Sequence, residues 1–197
     1  MRFDEKYWSE QYKSQLTGWD AGNITTPLKE YIDQLEDKSI RILVPGCGNG
    51  HEVRYLYDKG FVDVVVIDIS PKPIESLKIY CSEWRSEQFI VGDFFKHKGE
   101  YDLILEQTFF SSIVQSERVN YASKTNDLLK DNGKLVGLLF IIDFPGDYPP
   151  FGGTRGEYIN YFEPLFELDV FEVCYNSIKP RKGNELFINL RKRKIRT

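Results

Sequence analysis

Residues 40–68 read IRILVPGCGNGHEVRYLYDKGFVDVVVID, and this stretch decides the fold. A short apolar strand at 40–44 runs into a glycine-rich turn at 45–50. A helix over 52–59 follows with its apolar residues on one side, and a second strand at 62–67 ends at Asp68. The continuous β-branched run of this strand is typical of a parallel strand that is buried on both faces. The stretch therefore predicts a βαβ unit with a ligand site at its carboxyl edge.

The residue types of the turn indicate the kind of ligand. Glycine lets the backbone approach a ligand without a Cβ clash. The start of the following helix offers free N–H groups and a positive dipole end to a carboxylate or phosphate. Asp68, at the end of the next strand, is placed to accept hydrogen bonds from ribose hydroxyls. The pattern predicts a nucleoside ligand with an anionic or polar tail.

The spacing of the glycines separates two such ligands. A dinucleotide-binding turn reads G-x-G-x-x-G. Here Gly46, Gly48 and Gly50 are evenly spaced, and His51 occupies the position of the third glycine. This departure counts against NAD and favours S-adenosylmethionine. A tight turn with a purely structural role is the alternative at this point.

Composition limits the partners and the compartment. The 197 residues are 41% hydrophobic and 28% charged, which predicts one α/β domain over residues 1–197, with an N-terminal lid and helix at 1–37. The net charge of −4 argues against nucleic acid as a partner. We see no signal peptide and no run of 18 apolar residues, and we expect no membrane partner. Cys47, Cys81 and Cys174 have neither metal-ligand nor disulfide spacing, so we expect no metal and a cytoplasmic location. A monomer is expected.

Hydrophobic periodicity predicts the remaining elements. Helices are expected over residues 4–14, 26–37, 71–84, 117–131 and 157–163, and strands over 89–91, 101–106, 134–142, 166–178 and 185–191. Thr26 is expected to cap the second helix, and Asn132-Gly133 to stop the helix at 117–131. The last two strands form an antiparallel hairpin. The order predicts a Rossmann-like, seven-stranded methyltransferase sheet, mostly parallel, with helices on both faces.

Acidic side chains end three of these strands. Asp68, Asp93 and Glu106 are expected to converge on one crevice, because ligands of such sheets bind at the carboxyl ends of the strands. The Asp93 carboxylate could bind the amino group of an adenine, and the neighbouring Phe94 and Phe95 could stack on its ring. The alternative is that Asp93 is a helix cap or turn residue.

Aromatic residues precede the glycine turn. Trp8 and Tyr12 lie in the first predicted helix, and Trp19 lies in a Gly-rich loop. A lid over the ligand and ordinary core packing explain Trp8 and Tyr12 equally well. Core packing is a poorer explanation for Trp19.

Several stretches together resemble the thiopurine S-methyltransferase family, which includes plant and bacterial thiol and halide methyltransferases. They are Trp8 with WDAG at 19–22, LVPGCGN at 43–49, IDIS at 67–70, GDFF at 92–95, YDLILEQTFF at 101–110, Arg118 with Tyr121, and GKL at 133–135. The match spans nearly the whole chain, and the combination of PGCGN, GDFF and EQTFF is specific. The resemblance implies S-adenosylmethionine as methyl donor and a small soft acceptor such as a thiol, hydrosulfide, halide or thiocyanate. These motifs do not separate thiol-type from halide-type relatives.

The resemblance also implies a cofactor site. Its residues are Trp8, Tyr12, Trp19, Gly46, Gly48, Asn49, Asp68, Ile69, Asp93, Phe94, Phe95, Glu106, Gln107 and Tyr121. By this resemblance Trp8, Tyr12 and Trp19 fold over the cofactor. Gly46 backs its methionine part and Asp68 holds its ribose. Relatives often have Trp where this chain has Tyr12, so the shape of the lid differs here.

The acceptor side is predicted from fewer signals. The candidates for substrate binding are Arg118, Phe140, Asp143, Phe151 and Arg181. The two arginines suit the steering of an anionic acceptor or the ionisation of a thiol, with surface salt bridges as the alternative. His51 and His97 lie at a helix start and in a solvated loop, so neither is assigned as a base. No general base is assigned, because a soft nucleophile needs little acid–base help.

Three other functions stay open. A small-molecule O- or N-methyltransferase on the same fold needs a general base such as Asp143 or Glu106. A nucleic-acid amino-methyltransferase places a D/N-P-P-Y-like motif after the fourth strand, where this chain reads EQTF at 106–109. The basic tail at 191–196 is explained more simply as a solvated terminus than as a phosphate contact. A protein that binds a nucleotide without chemistry is the third possibility.

Overall fold

The computed structural model describes residues 3–194. Residues 1 and 2 of the predicted N-terminal lid and helix at 1–37, and residues 195 and 196 of the predicted basic tail, lie outside the described residues. Two compact units divide the chain, Met1–His97 and Lys98–Thr197. The single domain expected over residues 1–197 stays a prediction.

The first unit carries the stretch that decides the fold. Its elements are helix α1 (Glu5–Lys13), helix α2 (Thr26–Asp33), strand β1 (Ile42–Pro45), helix α3 (His51–Asp58), strand β2 (Val64–Asp68), helix α4 (Pro71–Tyr80) and strand β3 (Phe89–Val91). Strand β2 pairs in parallel with both β1 and β3. Strands β1 and β2 are buried along their whole length, as their unbroken apolar sequences predict. The predicted βαβ unit is confirmed.

The second unit contains the antiparallel part of the sheet. Its elements are strand β4 (Tyr101–Gln107), helix α5 (Arg118–Leu128), strand β5 (Leu129–Phe140), helix α6 (Arg155–Phe162), strand β6 (Phe166–Val173) and strand β7 (Glu185–Lys192). Strands β4 and β5 are parallel, whereas β7 is antiparallel to both β5 and β6. The predicted hairpin of the last two strands is therefore confirmed.

The seven strands follow the order β3-β2-β1-β4-β5-β7-β6. Only the pairs that include β7 are antiparallel among the described pairs. This arrangement confirms the predicted Rossmann-like, mostly parallel seven-stranded sheet. Within residues 3–194, no helix has the length and apolar character needed to cross a bilayer.

Two predicted helix ends in the first unit were wrong. Helix α2 ends at Asp33, four residues early, and Thr25 rather than Thr26 is its N-cap. The side chain of Gln34 donates to the Glu30 carbonyl at 2.8 Å and satisfies one of the last carbonyls, so the helix is closed there. Helix α4 ends at Tyr80 rather than near 84. Trp84 then donates Nε1–H to a backbone carbonyl at 3.1 Å instead of continuing the apolar stripe.

The predicted end of the helix at 117–131 was also wrong. Helix α5 stops at Leu128, and strand β5 starts at Leu129 by pairing with Tyr101. Asn132 and Gly133 therefore lie within an irregular part of β5, where Asn132 has φ +61°. A Cβ at position 133 would lie 2.9 Å from two backbone carbonyl oxygens, so glycine serves a close strand approach here. Strand pairing, which no local pattern reveals, ended the helix.

Candidate active site

The glycine turn joins β1 to α3 in the conformation that its sequence predicts. Gly48 and Gly50 have φ of +52° and +70°, a region that costs a residue with a side chain. Gly50 is the N-cap of α3 and forms no side-chain cap hydrogen bond. The first N–H groups of α3 are thus not capped by Gly50, which suits a negative or polar ligand group. Gly46 has φ +56° and starts the turn.

Asp68 fixes the end of β2 against this turn. Its carboxylate accepts hydrogen bonds from the backbone N–H groups of Gly48 at 3.1 Å and Ser70 at 2.9 Å. Burial raises the pKa of Asp68 to about 6, although these N–H groups and that of Ile69 act in the opposite direction. A carboxylate has about four acceptor positions, so Asp68 can accept further hydrogen bonds from hydroxyl groups.

The three predicted lid aromatics lie together in the first unit. The Trp19 ring packs edge-on against Trp8 and Tyr12, with centroid distances of 5.5 and 5.9 Å. A Cβ on Gly48 would lie 3.4 Å from the Tyr12 hydroxyl, so this hydroxyl lies close to the glycine turn. Burial, and next the negative charge of Asp68, raise the pKa of Tyr12, which therefore stays protonated. The predicted proximity of lid and turn is present, and their contact with a cofactor stays a prediction.

Asp20 connects the lid loop to the glycine turn. Its carboxylate accepts a hydrogen bond from the Asn49 side-chain amide and lies 2.7 Å from His51 Nε2. It also accepts the N–H of Gly22 at 2.8 Å. Burial acts to raise the pKa of Asp20, but the hydrogen bonds from Gly22, Asn49 and His51 outweigh it and lower the pKa. This link was not predicted from the sequence, although the WDAG stretch at 19–22 and His51 each stand out in it.

Two contacts fasten helix α1 to helix α4. The hydroxyl groups of Ser9 and Ser70 lie 2.9 Å apart, and Lys72 Nζ donates to the Tyr12 carbonyl at 3.2 Å. Ser70 is also the N-cap of α4, but it makes no side-chain cap bond. The first helix is thus held beside the strand end that carries Asp68.

Asp93 caps a short turn after β3. Its side chain accepts the Phe95 N–H at 2.9 Å, which is the capping role weighed as an alternative. Phe94 is buried and packs edge-on against the half-exposed Phe95 at 5.6 Å. An adenine contact of this segment stays a prediction.

Glu106 is fully buried near the end of β4. One carboxylate oxygen accepts the Phe110 N–H at 2.8 Å, and the other accepts the Tyr121 hydroxyl at 2.6 Å. Burial and the charge of Glu106 raise the pKa of Tyr121 well above its ordinary value. Glu106 therefore joins the turn that follows Gln107, the half-buried last residue of β4, to helix α5. A general-base role would require it to give up one of these bonds.

Arg118 holds the Pro- and Gly-rich loop that follows β5. Its guanidinium donates to the carbonyls of Phe151 at 2.8 Å and Gly152 at 2.9 Å, and lies over the Phe110 ring at 4.5 Å. Phe151 in turn donates its N–H to Ser111 at 2.6 Å. Arg118 is fully buried, so the alternative of a surface salt bridge is wrong. Its contacts position the predicted acceptor loop, and a direct acceptor contact stays a prediction.

Arg181 and Phe140 meet at the end of β5. Arg181 is 8% exposed, and its guanidinium lies 5.2 Å from the centre of the Phe140 ring. Its Nη1 is 3.9 Å from the Glu185 carboxylate, which is 1% exposed. The surface alternative is therefore wrong for Arg181 as well. Asp143, by contrast, is an exposed residue of the following loop. Glu185 was missed by sequence reasoning, and its only signal was an acidic residue after the basic turn at 179–183.

These features fit S-adenosylmethionine on the first unit. The turn has no Cβ at positions 46, 48 and 50, the start of α3 has no side-chain cap, and Asp68 has spare acceptor capacity. The groups expected to hold the methionine part and the ribose are therefore present in one connected cluster. Among residues 3–194, no group of three or more His, Cys, Asp or Glu side chains has the arrangement of a metal site.

Comparison with known proteins agrees with this geometry. The chain is 30% identical over 185 residues to the probable thiol methyltransferase 2 of Arabidopsis thaliana, covering 90% of this chain and 81% of that protein. It is 30% identical over 188 residues to the thiocyanate methyltransferase 1 of Brassica oleracea, covering 92% and 83%.

A solved structure shows the same fold. It is the 1,6-didemethyltoxoflavin-N1-methyltransferase of Burkholderia thailandensis, with bound 1,6-didemethyltoxoflavin and S-adenosylhomocysteine. The TM-score is 0.76 at 17% identity, over 96% of this chain and 87% of that chain. The profile of the family described as thiopurine S-methyltransferase (TPMT) matches residues 3–192. The chain therefore belongs to the thiopurine S-methyltransferase family of enzymes, whose methyl donor is S-adenosylmethionine.

Proposed function

We propose that this enzyme methylates a small soft nucleophile, with a thiol or hydrosulfide as the principal class and thiocyanate or a halide as anionic variants. The observation that carries the acceptor class is the nearly buried guanidinium of Arg181 over the Phe140 ring at the end of β5. A cation on an aromatic wall, away from water, favours a polarisable anion or thiolate. The likeness to proteins named thiol and thiocyanate methyltransferases supports the same class.

The donor side of the proposal rests on the first unit. When bound, S-adenosylmethionine supplies an electrophilic methyl group on a positively charged sulfur. We assign the glycine turn at 46–50 to its amino-acid part and Asp68 to its ribose. We assign Trp8, Tyr12 and Trp19 to covering it, because the Trp19 ring contacts the other two and the Tyr12 hydroxyl lies near Gly48. Exclusion of water strengthens the electrostatic interactions of the site.

Positioning is the main contribution that the chain has to make. Methyl transfer to sulfur is an in-line displacement, and correct orientation can supply about 7–11 kcal/mol of the barrier reduction. The buried Arg118 bonds to the Phe151 and Gly152 carbonyls and holds the loop after β5 in one conformation. Phe151 is assigned to a wall of the acceptor site on this basis.

The test is a competition among acceptor classes. The purified enzyme receives S-adenosylmethionine with aliphatic and aromatic thiols, hydrosulfide, thiocyanate, iodide, a phenol and an amine. Mass spectrometry then reports methylated products and S-adenosylhomocysteine. Methylated sulfur or iodide products support the proposal. Methylated phenol or amine alone would replace it with the small-molecule O- or N-methyltransferase alternative. Gel filtration in the same buffer tests the expected monomer.

A further inference from the structure

We infer that Glu185 is the acceptor-activating residue: its carboxylate accepts the proton of a neutral thiol, and Arg181 beside it stabilises the thiolate that results. This inference rests on the proposed function, since it names the group that prepares a thiol for methylation. It also predicts which acceptors depend on the residue, because thiocyanate and halides carry no proton to remove.

The fold places Glu185 at the ligand edge of the sheet. It is the first residue of β7 and pairs with Phe140, the last residue of β5. Because β7 is antiparallel to β5, its start lies at the carboxyl end of β5, and sheets of this type bind ligands at the carboxyl ends of their parallel strands. Directly opposed residues of an antiparallel pair point to the same face, so Glu185 and Phe140 share one face.

The carboxylate of Glu185 has an unused acceptor oxygen. The side chain is 1% exposed, and Oε1 has no hydrogen-bond partner among residues 3–194. Oε2 lies 3.9 Å from Arg181 Nη1, which is an ion pair without a close hydrogen bond. A buried polar atom without a partner is costly and calls for an explanation. An S–H group of the acceptor is a donor of the right kind for Oε1.

The charged surroundings of Glu185 suit a base. Arg181 faces it from the turn at 179–181, Cys174 lies near it just after β6, and β5 contributes the uncharged ring of Phe140. Burial raises the pKa of Glu185 above its ordinary value, while the nearby Ser177 side chain and the charge of Arg181 act in the opposite direction and favour the carboxylate form. A carboxyl group with a raised pKa is a better proton acceptor near neutral pH than an exposed one.

The step balances in protons and electrons. The S–H bond breaks, the proton moves to Oε1 of Glu185, and the electron pair stays on the acceptor sulfur. That pair forms the new S–C bond at the methyl carbon, while the C–S bond of the donor breaks and leaves its pair on the donor sulfur. The proton on Glu185 then returns to solvent. Arg181 offsets the negative charge of the thiolate during the transfer.

The decisive experiment measures Glu185→Gln with two acceptors, an aliphatic thiol and thiocyanate. We expect kcat/KM for the thiol to fall about 10²–10⁴-fold, the usual range for loss of a positioned base. Thiocyanate turnover should be unchanged within about threefold or should rise. Thiocyanate binding, measured by calorimetry without donor, should tighten by about tenfold because a negative charge beside Arg181 is lost. Glu172→Gln, at an exposed carboxylate of β6 that pairs with Arg155, is the matched control and should change nothing.

The outcomes separate the two proposals. If kcat/KM falls equally for thiol and thiocyanate while thiocyanate binding is unchanged, Glu185 has a purely structural role and the inference is overturned. A variant that loses activity towards neither acceptor would overturn it as well. Methylation of neither acceptor by the wild-type enzyme would overturn the proposed function instead.

The wild-type pH profile tests the inference even if the variant does not fold. Thiol methylation should lose kcat/KM at acidic pH through a group above the ordinary Glu pKa, and thiocyanate methylation should not. Identical acidic limbs for both acceptors would overturn the inference.

Discussion

Replacing Asp68 by asparagine should stabilise the free enzyme at alkaline pH and weaken donor binding at the same time. Burial raises the pKa of Asp68 from 3.8 to about 6 in the folded chain. Each pKa unit corresponds to about 1.4 kcal/mol, so ionised Asp68 costs the folded state about 3 kcal/mol. The Asp68→Asn substitution removes this cost, but the amide keeps only one good acceptor for the two N–H groups of Gly48 and Ser70, a loss of about 1 kcal/mol.

The sign of the pH dependence follows from the direction of the change. Between pH 4 and 6 the folded chain binds the Asp68 proton more tightly than the unfolded chain, so this group makes wild-type stability fall as pH rises through that window. The Asp68→Asn variant lacks the effect. We therefore expect it to be about 1–2 kcal/mol more stable than wild type at pH 8 and about 1 kcal/mol less stable at pH 4.

The assay is urea unfolding followed by tryptophan fluorescence at pH 4, 6 and 8, with calorimetric titration of S-adenosylmethionine. Donor affinity should fall about 10- to 100-fold, the loss of a hydrogen bond to a charged group. Asp147→Asn, at an exposed loop residue, is the control and should change neither quantity. A stability difference that does not vary with pH would refute the reasoning on burial. Unchanged donor affinity would refute the assignment of Asp68 to the donor.

Three further substitutions test other parts of the structure. Arg118→Met should lower the free energy of unfolding in urea by about 3–5 kcal/mol and expose the loop after β5 to protease, because two buried carbonyls lose their charged donor. The control is Arg155→Met, at a half-exposed arginine, which should lower it by under about 1 kcal/mol. Gly137→Ala places a Cβ against the backbone carbonyl of Glu106 on the neighbouring strand, and should lower the free energy of unfolding by about 1–3 kcal/mol or more. The control is Gly156→Ala, where the new Cβ meets open space and stability should not fall measurably. His51→Ala removes a partner of Asp20 and should raise hydrogen exchange at residues 18–22 while the global unfolding free energy changes by about 1 kcal/mol or less.

The patterns that were predicted well are local ones. The strand, glycine turn, helix and strand at 40–68 follow each other within a short segment, and the glycine conformations and the position of Asp68 follow from that order alone. The motif at 106–110 likewise located the buried Glu106, because an acidic residue near a strand end is visible in sequence. The alternation of residues 166–178 and 185–191 correctly predicted the antiparallel closing hairpin, although its first strand ends at Val173 rather than at 178.

The predictions that were wrong depended on partners distant in sequence. Nothing near Leu129 indicates that it pairs with Tyr101, so the helix before it was drawn too long. For Arg118 and Arg181, the alternative to a role in acceptor binding was a salt bridge at the protein surface. The partners of Arg118 are two loop carbonyls, the farther one 34 residues away. Glu185 is only four residues from Arg181, but its burial depends on the pairing of β7 with β5.

The sequence by itself determined the sheet class, the glycine turn with its acidic strand end, and the family, because these are set by residue order and short-range conformational preference. Only the tertiary structure decided which charged residues are buried and what they contact. Burial of Glu185 and Arg181 depends on the pairing of β7 with β5, and the link from Asp20 to His51 joins two separate segments. The chemistry of a carboxylate changes with that burial, since desolvation and neighbouring charges set its pKa, and no local pattern records either.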